Sequence, residues 1–137
     1  MKISARNQVK GIVKSIEKGA VNAIVTLDAS GTLIKGTISL GAVSDLELKE
    51  GVEAVAIVKA TEVLVGVGDL KLSARNQIGG KVTSIKEGAV NGIVTITSGE
   101  IVISSTISME AIKELGLTVG CDAVAVIKST SVMFGVL

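Results

Sequence analysis

The chain has no histidine, no tryptophan and no tyrosine, and only one phenylalanine and one cysteine in 137 residues. Without histidine, a cysteine pair or a repeated pair of carboxylates, it offers little for acid–base, nucleophilic or metal chemistry. Single-stranded nucleic acid needs aromatic stacking platforms that a lone Phe134 cannot supply. The net charge of +1 gives no field to steer a polyanion. No glycine-rich phosphate loop is present. No run approaches a membrane span, and the start Met1-Lys2-Ile3-Ser4-Ala5-Arg6 has no apolar signal core, so the cytoplasm is the expected compartment. Cys121 reads as a small buried hydrophobe. Of what remains, 47% is hydrophobic and nearly all of that is Val, Ile, Leu and Ala, which favours packed β-strands.

The chain is one module written twice. Ser4-Ala5-Arg6-Asn7-Gln8 returns as Ser73-Ala74-Arg75-Asn76-Gln77, 69 residues on, and the same shift carries without a gap to Gly66 and Gly135. Roughly half of the aligned positions are identical, as tandem duplication requires. The expected domains are residues 1–67 and 70–137, with 68–69 as a short linker. Each is near the smallest size that folds alone, so each should need a neighbour. The scarce polar residues all fall at matching places: Arg6 with Arg75, Asn7 with Asn76, Asn22 with Asn91, and Gln8 with Gln77 are the only residues of their types.

Within each copy the pattern predicts five short strands. The first, Ile3 to Ile16, should bend or bulge at Gly11, as its counterpart should at Gly80. Strand-period alternation over Val21 to Leu27 follows a turn at Lys18-Gly19, and a third strand runs from Thr32 to Leu40. Leu40, Val43 and Leu46, like Met109, Ile112 and Leu115, recur at helical spacing behind the candidate N-caps Ser39 and Ser108. The fourth strand, Val52 to Lys59 and Cys121 to Lys128, is apolar on both faces, so its outer face should meet another module or subunit. This order predicts a mainly β protein of two tandem OB-like Greek-key barrels, each with one short helix.

Ser4, Arg6, Ser39 and Lys59, with Ser73, Arg75, Ser108 and Lys128, form a repeated set of donors without a repeated carboxylate. Such a set suits a fully ionised oxyanion: arginine offers a two-oxygen fork, lysine a compact charge and serine a hydroxyl. An anion that keeps a proton would also want an acceptor. The other reading is that the paired arginines and asparagines satisfy backbone groups at a strand start, in a structural or protein-interaction barrel. Gly19-Ala20-Val21-Asn22 and Gly88-Ala89-Val90-Asn91 are equally open between turn chemistry and function.

Ile-Ser-Ala-Arg-Asn-Gln, then Lys/Glu-Gly-Ala-Val-Asn, then Val-Lys-Ala/Ser-Thr before a closing apolar strand, resembles the molybdate-binding Mop domain of the molbindins, twice over. The resemblance implies a cytoplasmic protein that stores molybdate, or tungstate, without transforming it, with no organic cofactor, nucleic acid or membrane partner. It further implies a homotrimer of two-domain chains. One class of oxyanion site would then use Ser4, Arg6, Ser39, Lys59 and Ala60, and Ser73, Arg75, Ser108, Lys128 and Ser129. A second class would lie near the threefold axis at Ala20, Val21 and Asn22 and at Ala89, Val90 and Asn91. Two departures stand out. Ala42 and Ala111 replace a serine that family members often carry, and Ala60 against Ser129 makes the copies unequal.

Overall fold

A tight turn folds β1 (Asn7–Lys18) onto β2 (Asn22–Ala29) in the computed structural model, which describes residues 2–137. Gly19 N donates to the Asn22 carbonyl at 2.8 Å, and a Cβ on Gly19 would stand 3.1 Å from that oxygen, which explains the glycine. The next turn reaches β3 (Thr32–Ser39) through Ser30 and Gly31, both at positive φ, with Asp28 Oδ1 accepting from Gly31 N. Helix α1 (Leu40–Asp45) follows, its N-cap Ser39 accepting from Ala42 N at 3.0 Å. Then come β4 (Glu53–Val58), a 3-10 turn (Ala60–Glu62) and β5 (Leu64–Gly66). The second copy repeats this as β6 (Asn76–Lys86), β7 (Asn91–Ser98), β8 (Ile101–Ser108), α2 (Met109–Glu114), β9 (Asp122–Ile127), a 3-10 turn (Ser129–Ser131) and β10 (Met133–Gly135).

The fifth strands change places. One antiparallel sheet runs β10-β4-β1-β2-β3 and the other β5-β9-β6-β7-β8, so each takes four strands from one copy and its last from the other. Met133 to Gly135 pair with Ile57 to Val55, and Leu64 to Gly66 pair with Val126 to Val124. The sheets curl into OB-like barrels as the pattern implied, with the exchanged strand closing against the third strand through Val132 and Phe134 beside Gly36. A single buried cluster draws on both copies. Ser131 Oγ donates to Glu62 Oε2 at 3.2 Å, and these are matching positions of the repeat, so a local dyad passes between them.

The bulges lie beyond the expected glycines. Register shifts between Val13 and Ser15 and between Val82 and Ser84, leaving Lys14 and Thr83 as the extra residues. Gly11 serves close approach instead, because a Cβ there would lie 2.5 Å from the Asp28 carbonyl oxygen. On β4, Ala54, Ala56 and Val58 join the core, while Val55 and Ile57 on the alternate face are only 2% and 4% exposed. The outer face of that strand is therefore covered within a single chain.

Candidate functional site

The five-residue motif that organises the repeat divides its labour. Gln8 Nε2 donates to the carbonyls of Ile3 and Ala5 at 3.1 and 2.9 Å, and Gln77 Nε2 to those of Leu72 and Ala74 at the same distances. Each glutamine thereby curls the segment that carries Ser4 and Arg6, or Ser73 and Arg75, back over the strand start. Asn7 and Asn76, 2% and 1% exposed, join the copies. Asn76 Nδ2 donates to the Lys35 carbonyl at 2.8 Å while its Oδ1 accepts from Lys35 N at 2.7 Å. Asn7 makes the same two bonds with Ser104, both at 2.8 Å. Each amide acts as one more peptide group in a ladder with the other copy's third strand, so these asparagines satisfy backbone, as one of the two sequence readings held.

With asparagine and glutamine engaged in the scaffold, serine and arginine are left facing solvent. Ser4, Arg6, Lys59 and Ala60 line one cavity of about 370 Å³, which also has Thr106 and Met133 of the second copy in its wall. Ser73, Arg75, Lys128 and Ser129 line a second, of about 260 Å³. Neither wall contains a carboxylate. Arg75 also borders a neighbouring cavity of about 400 Å³ formed with Glu17, Lys18, Gly19, Asn22 and Thr37 of the first copy, and this one does have a carboxylate in its wall. Each arginine thus looks onto elements of the opposite copy.

Ser39 and Ser108 are not in the walls shared by the arginine and lysine of their own copies. Both cap helices, Ser108 Oγ accepting from Ala111 N at 3.0 Å. Ser39 is paired with Asn22 in the β2–β3 ladder, on the side of the other copy's Arg75. The hairpin tips are open: Ala20, Asn22, Ala89 and Asn91 are exposed, and Val21 and Val90 are 72% and 73% exposed. Leu40 N and Met109 N donate to the Val21 and Val90 carbonyls and tie each tip to a helix start.

Sequence reasoning did not single out Thr37 and Thr106. Thr37 Oγ1 lies 2.8 Å from Ser129 Oγ, and Thr106 lines the Arg6 cavity. Their signal was present, since they match across the repeat. A further groove, of about 1030 Å³, lies between α1, the loop after it and the tail residues Val136 and Leu137, and gathers none of the repeated donors. Among the described residues there is no cluster of three or more potential metal ligands, and Cys121 is partly buried.

Known proteins bear on this geometry. The TOBE domain family model matches residues 3–65 and again 72–134. The chain is 36% identical to the molybdenum transport protein ModE of Herbaspirillum seropedicae over 140 residues, which cover 99% of this chain and 52% of that protein. It is 60% identical to a probable molybdenum-pterin-binding protein of Haemophilus influenzae over 68 residues, 49% of this chain and 99% of that one. The chain thus spans about half the length of the ModE relative and about twice that of the single-domain one. Among solved structures, the cytoplasmic molybdate-binding protein ModG with molybdate bound matches with a TM-score of 0.96 and 43% identity, covering 100% of both chains.

Proposed function

The chain belongs to the TOBE-domain family, two domains in tandem, and from that premise we propose that it binds molybdate as an intact oxyanion and holds it without chemical change. The observation that carries this reading is the pair of donor-rich cavities, each with an arginine, a lysine and a serine and no carboxylate in its wall. Its likeness to relatives and a structural neighbour named for molybdenum or molybdate supports the choice of ion.

Molybdate is a dianion at neutral pH and presents only acceptors. The Arg6 or Arg75 fork takes two oxygens, Lys59 or Lys128 adds a point charge, and the Ser4 or Ser73 hydroxyl donates a further bond. Hydrogen phosphate would turn a proton toward a wall that has no carboxylate to take it, only hydroxyls that the dianion uses as donors. Nothing in these walls resembles a general base, and the chain has no histidine to act as one. Tungstate, of nearly the same size and charge, should compete on equal terms.

The ten residues of the first class are Ser4, Arg6, Ser39, Lys59 and Ala60 with Ser73, Arg75, Ser108, Lys128 and Ser129. A second class uses the hairpin tips at Ala20, Val21, Asn22, Ala89, Val90 and Asn91, brought together about a threefold axis in a homotrimer. Two features support assembly: the exposed valines at the tips, and arginines and lysines that are exposed in a single chain. A second chain closing over them would strengthen their hold on an anion. No helix among the described residues is long and apolar enough to cross a membrane, and we assign the protein to the cytoplasm as its structural neighbour is described. Domains of 1–67 and 70–137 remain the proposed functional units.

Competition titration tests the function. Molybdate and tungstate should displace each other, and phosphate at equal concentration should displace neither. Displacement of molybdate by equimolar phosphate contradicts a donor-rich site without a carboxylate, and a stable folded monomer in sedimentation at micromolar concentration contradicts the trimer.

A further inference from the structure

Thr37 and Thr106 stand at the same place on the third strand of each copy, half-buried, on the face turned away from the barrel core. Each meets the donor cluster of the opposite copy, but the two meetings differ. Thr37 finds a hydroxyl, Ser129 Oγ, at 2.8 Å. Thr106 lines the Arg6 cavity together with Ala60, which stands at the position matching Ser129 and has no hydroxyl to offer it. We propose that Thr37 and Thr106 are oxyanion-binding residues supplied across the copies, and that Ala60 against Ser129 makes the two sites unequal through them. This rests on the reading of these cavities as oxyanion sites.

The chemistry follows from counting protons. In the Arg6 cavity Ala60 stands where Ser129 does in the other copy, so Thr106 lacks the hydroxyl partner that Thr37 has and its O–H is free for an anionic oxygen. At the edge of the Arg75 cavity, where Ser129 lines the wall and Thr37 stands behind it, the Thr37 and Ser129 hydroxyls carry two protons between them. One is shared in their mutual bond, which fixes the rotor of the other and polarises it toward the anion. The Arg75 site therefore has an oriented donor before the ligand arrives, whereas the Arg6 site must order Thr106 as the ligand binds. Tighter binding at the Arg75 site is the consequence. The copy-matched threonines also provide a hydroxyl in a chain that has Ala42 and Ala111 where a serine donor was expected.

The test is calorimetric titration of the full-length protein with molybdate, after each variant's unliganded melting temperature confirms folding. Thr106→Val should weaken the Arg6 site about tenfold or more, the size of one hydrogen bond to a charged group, while Thr106→Ser retains binding. Thr37→Val should cost the Arg75 site less, because Ser129 still donates. In a Ser129→Ala background, Thr37→Val should cost as much as Thr106→Val does. Ala60→Ser should tighten the Arg6 site toward the other. Wild-type affinity and stoichiometry in both valine variants, with molybdate still bound, would overturn the threonine assignment and leave the proposed function standing. A wild-type protein that binds no molybdate would overturn the function itself.

Discussion

The ring of Phe134 fills the space that a side chain at Gly36 would need: a Cβ built on that glycine would collide with the ring and stand 3.1 Å from Val132 Cγ1. Gly36 belongs to the third strand of the first copy and Phe134 to the last strand of the second. At the matching positions the repeat has Ser105 and Val65, and the fully buried Ser105 hydroxyl donates to the Val63 carbonyl. A large residue meets glycine in one barrel and a smaller one meets serine in the other, so the exchanged strands are not interchangeable.

Gly36→Ser should therefore lower stability by about 1–3 kcal/mol, as overpacking does. Adding Phe134→Val, which copies the arrangement of the other barrel, should recover much of that loss. Denaturant unfolding of both single variants and the double variant measures the coupling. Additive losses would mean that ring and glycine are not in contact.

Asn76 gives a second prediction, because its amide is occupied by Lys35 and also donates to the Ile127 carbonyl at 3.2 Å. Asn76→Ala should cost roughly 1–3 kcal/mol for each backbone group it orphans, and Asn76→Asp should be worse, since a carboxylate would face two carbonyls. Molybdate stoichiometry of the folded Ala variant should stay at the wild-type value. Lost sites in a protein of normal stability would show that this asparagine is a ligand.

The motif shows how far the residues could be read alone. Ser4-Ala5-Arg6-Asn7-Gln8 marked the repeat, and arginine with serine and lysine marked donor clusters that the fold does gather. The role of glutamine is not legible in the residues, and a backbone role for asparagine is one of two readings they leave open, because a side-chain amide suits an anion, a turn and a backbone ladder equally well. The N-caps Ser39 and Ser108 were legible from local spacing, since capping joins residues three apart. The strand exchange was not. Alternation in Leu64 to Gly66 states which side chains point inward but not which copy's sheet the strand joins, and both partners carry the same sequence pattern. For the same reason Ser39 was grouped with Arg6 of its own copy, although its strand runs past Arg75 of the other.

The most direct test of the central claim is molybdate stoichiometry on Arg6→Gln, Arg75→Gln and the double variant, each first shown to keep the wild-type oligomeric state. If the arginines grip the anion, each single change should weaken its own cavity by about tenfold for every 1.4 kcal/mol of contact removed. The other cavity should keep working, the double variant should lose both, and lysine in place of either arginine should rescue only in part. Unchanged stoichiometry and affinity in the double variant would contradict the account and return the motif to a purely structural role.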